Sequence, residues 1–535
     1  MDAWTDYPMP PRRAEALYGD RIVRCYAERP GSLHDMFAAA VQRAPQACAL
    51  VCEGERVSYA QCDAWVRRLA AGLSARGVRA GERVVMFIDN RPEFVFVLLA
   101  LARLGAVAVP VGVREQRPGL AYIVHQCGAI AIVADAALAA RLPDASEAPA
   151  LHLRVAIGGA PGCVPYDALL DDASSAPAPA APDETHVAVI LYTSGTTGNP
   201  KGAMLTHLNI VHSVLHYQVC MKLRDGEVSA LAVPASHVTG LIAIIATMLH
   251  MAGTTVIVPA FKAESFIALM QRERVTHTLM VPAMYNLCLL QPAFAQADLG
   301  GWRIGGYGGA PMPVSTIDAL AEALPGLTLL NCYGATETTS PTTMIPMGRT
   351  RDHADSVGVA LPLAEVRVMD DDGRELPPGD TGELWIAGPM VVPGYWANPQ
   401  ATAASFTAGW WHSGDLGSVD AQGYVRVFDR KKDMLNRGGY KIYSVEVENV
   451  LMAWPGMVEA AVVGKPCPVL GERVHAFVHA PGGTPDDAAL RAFCAARLAD
   501  YKVPETLTWT DAPLPRNANG KLMKRVLRAR LTAAA

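Results

Sequence analysis

The stretch HVAVILYTSGTTGNPKG, His186–Gly202, sets a run of aliphatics against four Ser/Thr hydroxyls, three glycines and one lysine. HVAVILY reads as a central strand, TSGTTGNPKG as a turn-rich loop, and AMLTHLNIVHSVLHYQV after it as a helix. Glycines let backbone amides come close to an anion, hydroxyls add short donors, and Lys201 supplies a point cation. Phosphate is the ligand type this chemistry suits. No Gly-Lys-Ser/Thr triplet follows the glycines, so the ordinary P-loop of ATPases loses its support. A plain solvent loop has the same composition, and composition alone leaves the two readings level.

Outward from this stretch, helical periods alternate with short β-branched runs. HDMFAAAVQRAP and DAWVRRLAAGLSARG read as helices, ERVVMFI as a strand, and PEFVFVLLALARLG as a helix feeding VAVPV. AIAIVAD, TTVIVP, THTLMVP, WRIGGYG and LTLLNCYG continue as strands, which makes an α/β domain of helix-covered, parallel-type sheets. EVRVMDDDGRELPPGDTGELWIAG changes the texture to a compact antiparallel region, repeated in DAQGYVRVFD. A smaller α+β unit follows, with SVEVENVLMAWP and PDDAALRAFCAARLADY as helices around the strands VEAAVVG and ERVHAFVHA. Pro485 and Asp486 suit the start of the second helix. The expected division is a surface arm at 1–31, a large domain at 32–430 and a small domain at 431–535.

The whole chain limits the partners. Lys+Arg 46 against Asp+Glu 51 gives a net charge of -5 without a basic block, which argues against nucleic acid. Eleven cysteines without a CxxC pair read as isolated core thiols in a reducing cytosol, with Cys48 and Cys52 on one helix face as too small a set for zinc. FVFVLLALARLGAVAVPVGV is broken by Arg103 and Pro110, and LIAIIATMLHMAGTTVIVP changes character at Gly253. Both read as a buried helix feeding a buried strand, so no transmembrane span is expected. The N-terminus lacks the basic and apolar segments of a signal peptide, and a cytoplasmic location is expected.

YTSGTTGNPKG (192–202), GGAPM (308–312), YGATETT (333–339), SGD (413–415), DRKKDMLNRGGYKIYSVEVE (429–448) and LPRNANGK (514–521) together resemble the ordered motifs of the adenylate-forming superfamily of AMP-binding acyl- and aryl-CoA synthetases. The resemblance spans roughly residues 32–530, and six elements in order are far more specific than any one. It implies a carboxylic acid and ATP forming an acyl-adenylate, with AMP then displaced by the thiol of CoA.

By that resemblance Thr193, Ser194, Gly195, Thr196 and Thr197 would wrap the β- and γ-phosphates, with Lys201 at the loop's end. Glu337 would hold Mg²⁺, Thr336 would touch the α-phosphate, and Tyr333 and Gly334 would lie by the adenine, where Gly308, Gly309 and Ala310 let the nucleotide pass. On the residues alone, Glu337 as a helix cap and Tyr333 as core is the plainer reading. Asp415 would take the ribose hydroxyls and Arg430 the ribose or phosphate edge, while an SGD aspartate also serves as a turn residue. Lys521 would come from the small domain to steady the carboxylate and α-phosphate during adenylation, and a Gly-Lys in a basic tail is otherwise a solvated turn. The small domain would turn about a hinge at 429–432 and bring Gly438 and Lys441 to CoA for thioester formation. Relatives that use a lysine in this second step would place it at Asn436, where this chain departs.

His237 resembles a gate residue between acyl pocket and thiol path, with a satisfied strand-end imidazole as the bland alternative. His207, His212 and His216 share helical spacing without a further ligand and read as structure. The acyl pocket would draw on His237, Val238, Met284, Tyr285, Gly306 and Tyr307, with Ile304 and Gly305. None is a carboxylate or ammonium, which argues against dicarboxylic and amino acids and leaves fatty or aryl monocarboxylic acids, fatty acids preferred. The glycines are expected to leave room for a chain or ring. A separate phosphopantetheinyl carrier protein as acceptor, a luciferase-like oxygenase and a non-catalytic nucleotide scaffold complete the alternatives; oligomeric state has no signature.

Overall fold

The computed structural model describes Trp4, Tyr7 and residues 9–171, 175–193, 199–481, 486–516 and 522–533. It divides into two compact units. The first is Met1–Val366 with Trp385–His412 and Gln422–Val425; the second is Arg367–Leu384 with Ser413–Ala421 and Arg426–Ala535.

In the first unit, one sheet runs in the order Lys201–Thr206, Val187–Thr193, Val107–Pro110, Arg83–Phe87, Ala131–Asp135, Leu153–Ile157, Val164–Pro165. All its neighbours are parallel except the first pair. Strands such as Val84–Phe87 are buried at every residue, the mark of a sheet covered on both faces. A second sheet places Cys48–Cys52, Thr254–Ile257, Val228–Leu231, His277–Met280, Ile304–Tyr307 and Thr328–Tyr333 side by side and parallel. The helix Pro92–Leu104 starts with proline in its first turn, ends at Gly105 with φ 67, and buries Phe94 through Ala102 without a break. That all-round burial explains a hydrophobicity that imitates a membrane span. Among the described residues no helix is long and apolar enough to cross a membrane.

Three local expectations change. Residues 12–26, read as a surface arm, form the hairpin Arg12–Leu17/Arg21–Tyr26 with Cys25 and Tyr26 buried, and Trp4 donates its indole N–H to Ala360 O at 2.7 Å. Cys48 and Cys52 lie on a strand, where a four-residue spacing shares a face by the period of two. The helix expected from Ala203 begins at His207, because Thr206 caps it with a reciprocal Asn209 bond while Lys201–Thr206 pairs with the preceding strand.

In the second unit, Asp370–Arg374 closes a tight turn through the Asp370 N–H to Arg374 O bond at 2.9 Å, as the DDG signal predicts. Farther along, a five-stranded sheet is ordered Tyr440–Ile442, Leu435–Arg437, Gly471–His479, Glu459–Cys467, with Thr506–Trp509 parallel to the 471–479 strand. Period-two alternation divides its core. Val462, Val474, Ala476 and Val478 pack with Val447, Leu451, Leu490 and Cys494 of the helices Ser444–Met452 and Asp487–Ala495. Ala461, Val463 and Phe477 pack on the other face with Leu514 and with Leu527 of the helix Lys524–Ala533. Asp486 caps the second helix by accepting from Ala488 N at 2.8 Å; Pro485 lies outside the described residues.

Candidate active site

Thr193 and Lys201 face each other across the antiparallel pair, so the Ser/Thr/Gly-rich stretch is the connection of a hairpin. Ser194, Gly195, Thr196 and Thr197 lie outside the described residues. At the mouth of the hairpin, the Thr193 hydroxyl donates to Glu337 Oε1 at 3.2 Å, and the Tyr395 hydroxyl donates to the same oxygen at 3.0 Å. Lys201 Nζ stands 4.9 Å from the centroid of the Tyr395 ring. Burial, reinforced by the Glu337 charge, pushes the Tyr395 phenol far above its ordinary range, so it remains a donor.

Glu337 is 8% exposed and sits in the short turn Thr336–Thr338 that follows the strand Thr328–Tyr333. Its backbone oxygen accepts from Val392 N at 2.9 Å. Tyr395 was not foreseen. It is placed by main-chain pairing, Met204 N to Gly394 O at 3.1 Å and Trp396 N to Gly202 O at 2.8 Å, between residues nearly two hundred apart. The only local signal is the glycine-aromatic sequence Gly394-Tyr395-Trp396.

Most of the other candidates in this unit follow the carboxyl ends of the parallel strands, where open α/β sheets bind ligands. Gly308, Gly309 and Ala310 follow Ile304–Tyr307, and Gly309 and Ala310 are exposed. A Cβ on Gly308 would stand 2.3 Å from Cys332 O, so this glycine lets two strand ends close together. Gly308→Ala is therefore expected to lower stability by about 1–3 kcal/mol, read as an earlier urea midpoint; an unchanged midpoint would show that the contact relaxes without cost. A Cβ on Gly334 would crowd Ser340 and Pro341 at 3.2 Å. Tyr333 is half-buried, and its carbonyl accepts from Thr342 N at 2.7 Å.

His237 is exposed, and its Nδ1 accepts from Thr239 N at 3.4 Å at the head of the π-helix Thr239–Ala246. Val238, Met284, Tyr285, Gly306 and Tyr307 are buried. Tyr285 donates its hydroxyl to Gly306 O at 2.7 Å. The room expected at the glycines is taken. A Cβ on Gly305 would meet Leu329, Leu327 and the Tyr285 hydroxyl at 3.1–3.2 Å, and one on Gly306 would meet Leu279 and Met221 at 3.1–3.2 Å. Large neighbours have moved into the space that two small residues in a central strand leave free.

Among the described residues no group of three or more His, Cys, Asp or Glu could hold a metal ion. His207 Nδ1 accepts from Leu33 N and His212 Nε2 from Tyr26 N, each at 3.2 Å. Burial lowers both imidazoles to about 4 and that of His216 to about 3, which keeps all three neutral.

In the second unit, Asp415 is 4% exposed, pairs with Arg430 Nε at 2.7 Å, and donates its backbone N–H to Ser413 Oγ at 2.9 Å. Arg430 also donates to Ser413 O at 3.1 Å. Lys431 reaches Asp371 at 2.7 Å and Glu383 at 3.3 Å. Gly438 and Gly439 take φ of 58 and 92 in the turn between Arg437 and Tyr440, and Asn436 Oδ1 accepts from Gly439 N at 3.1 Å. A lysine at 436 could not accept that bond, which gives Asn436 a structural reason. Lys441 is exposed. Lys521 lies outside the described residues.

Residues 37–396 match the family model described as AMP-binding enzyme, and residues 446–521 match the AMP-binding enzyme C-terminal domain. The chain is 36% identical over 492 residues to a feruloyl-CoA synthase of an Amycolatopsis species, covering 91% of this chain and 96% of that one. It is 33% identical over 486 residues to a long-chain-fatty-acid–CoA ligase of Mycobacterium tuberculosis, covering 89% and 94%. An o-succinylbenzoate coenzyme A synthetase from Bacillus subtilis, solved with ATP and magnesium ion, superposes with a TM-score of 0.83 at 28% identity, covering 93% and 99%. The class of reaction is that of an AMP-forming acid–thiol ligase acting on acyl or aryl acids. The chain belongs to the AMP-binding enzyme family.

Proposed function

We propose that this ligase activates an apolar monocarboxylic acid, a fatty acid before an aryl acid, and transfers the acyl group to CoA. The observation that carries the acid class is the set Val238, Met284, Tyr285 and Tyr307, buried and free of carboxylate and ammonium, with the one hydroxyl nearest the glycines already given to Gly306 O. A second charge on the acid would be desolvated there without a counter-ion. The space at Gly305 and Gly306 is filled in this structure, so the preference for an aliphatic chain rests on the apolar character of the surrounding side chains. The aryl reading is retained because the feruloyl-CoA synthase is the more identical of the two relatives above.

In this reading Thr193, Ser194, Gly195, Thr196, Thr197 and Lys201 hold the outer phosphates, and Thr336 the inner one. Tyr333, Gly334, Gly308, Gly309 and Ala310 face the adenine, and Asp415 and Arg430 the ribose. Lys521 steadies the reacting oxygens, and residues 431–535 then turn about 429–432 to bring Gly438 and Lys441 to CoA, past the gate at His237. Glu337 suits Mg²⁺: one buried carboxylate beside hydroxyls matches a hard cation that completes its shell with water and phosphate oxygens. Such a cation would neutralise phosphate charge.

The test is acid-dependent exchange of pyrophosphate into ATP across short, medium and long aliphatic acids and benzoic and cinnamic acids, followed by acyl transfer to CoA or to a phosphopantetheinyl carrier protein. Aliphatic acids are expected to exchange at least about 10-fold faster, the ratio a single methylene can produce in an apolar pocket. Preference for cinnamic acids would replace the fatty-acid reading. Transfer to the carrier alone would replace CoA.

A further inference from the structure

A buried polar chain in the second unit runs from the last helix to Asp429, and apart from Asp429, at the edge of the proposed hinge, its residues have no part in the chemistry assigned so far. Lys524, the first residue of the last helix, places Nζ 2.7 Å from Glu448 Oε1 and donates to Ser444 Oγ at 2.5 Å. Ser444 Oγ in turn donates to Asp429 Oδ2 at 2.7 Å, and the Ser444 N–H goes to the same oxygen. Glu448 Oε1 also accepts from Val462 N at 2.7 Å. The side chains of Lys524 and Glu448 are 12% and 16% exposed, and Asp429 is 3% exposed. The helix Ser444–Met452 has no side-chain cap of its own, so Asp429 supplies it from a separate strand.

Such an arrangement is costly as a mere brace. An apolar side chain in place of a buried lysine–carboxylate pair is often neutral or better for stability, whereas ion pairs with several directed bonds fix orientation. Burial pushes both the Asp429 and the Glu448 carboxyls upward, and the Lys524 charge opposes this, so one cation serves two desolvated carboxylates.

The position of Lys524 along the chain shows what is being oriented. On the near side of residues 517–521, Leu514 N donates to Glu459 Oε2 at 2.6 Å and Arg516 pairs with Glu459 Oε1 at 2.7 Å. On the far side, Leu522 bridges Arg516 and Met523 N donates to Pro515 O at 2.8 Å. Lys524 follows at once. Both ends of the segment that carries Lys521 are thus tied by charge-assisted bonds to the 444–467 region.

We infer that Lys524, held by Glu448, Ser444 and Asp429, is a positioning residue for adenylation: it fixes the start of the last helix, three residues after Lys521. The inference rests on the ligase reading above. A misplacement of about 1 Å in a reacting group costs on the order of 100-fold in rate, and the second half-reaction draws on Gly438 and Lys441 instead.

The experiment compares Lys524→Met, Lys524→Arg and Glu448→Gln in two assays with an acid the unmodified enzyme accepts: pyrophosphate exchange, and transfer from preformed acyl-adenylate to CoA. Lys524→Met and Glu448→Gln are expected to lose about 100-fold in exchange with the KM for ATP nearly unchanged, while transfer stays within about 3-fold. Lys524→Arg should recover most of the exchange because it keeps the charge and the reach. Transfer serves as the folding control, since a collapsed second unit would lose both activities. Equal losses in both assays, or normal exchange in Lys524→Met and Glu448→Gln, would overturn the inference and leave the ligase reading standing. Absence of exchange in the unmodified enzyme with every acid would overturn both.

Discussion

Lys521→Ala is expected to slow acid-dependent pyrophosphate exchange by about 10²–10³-fold, the usual cost of removing one preorganised group that meets developing charge. The reaction brings a carboxylate oxygen against an α-phosphate, two anions that repel until a cation stands between them. Lys201 is held at the mouth of a hairpin beside Tyr395, on the side assigned to the outer phosphates. The inner phosphate therefore needs a second cation, and Lys521 in NANGK is the residue assigned to it. Nucleotide affinity should change by only a few-fold, because Lys201, Glu337 and Asp415, the other residues proposed to hold the nucleotide, remain. Lys521→Arg should fail as well, since a planar fork does not replace a compact ammonium at a single point. The decisive measurement is single-turnover formation of acyl-adenylate with ATP binding measured in parallel. Near-normal pyrophosphate release in Lys521→Ala would refute the assignment.

Glu337→Gln is expected to reduce adenylation by about 100-fold, and part of the loss should return at raised Mg²⁺. Glutamine keeps the shape and an acceptor oxygen for the Thr193 and Tyr395 hydroxyls, so stability should change by less than about 1 kcal/mol. Glu337→Ala is the less informative variant: it leaves a buried phenol without its acceptor, at about 1–3 kcal/mol, and mixes folding with function. Activity titrated against Mg²⁺ separates the two explanations. A Glu337→Gln enzyme with unaltered activity and Mg²⁺ dependence would remove Glu337 from the metal site.

The α/β class was legible because it rests on local periods: aliphatic runs such as Val187–Leu191 announce covered strands, and Pro92 with Gly105 brackets a helix. Ala203–Thr206 reads as the start of a helix because nothing within those four residues opposes it; the opposition is the strand Val187–Thr193 beside them. Tyr395 escaped for the same reason on a longer scale, since its position depends on pairing with Gly202–Met204. At Gly305 and Gly306 composition shows that a side chain is missing but not which neighbour fills the gap, and here Met221 and Leu329 come from distant elements. Glu337 was found through motif order, and its burial beside Thr193 gives that choice a physical setting.

The Thr193–Lys201 pairing also limits how the segment proposed to hold the phosphates can be altered. Ala203 and Leu205 belong to the main core, and alternate residues along this strand face the other way. A shift of this strand by one place would offer Gly202, Met204 and Thr206 to a cavity shaped for Ala203 and Leu205. Length changes that move the register should therefore cost folded protein, whereas side-chain changes at 194–197, the residues proposed to wrap the phosphates, should cost nucleotide handling instead.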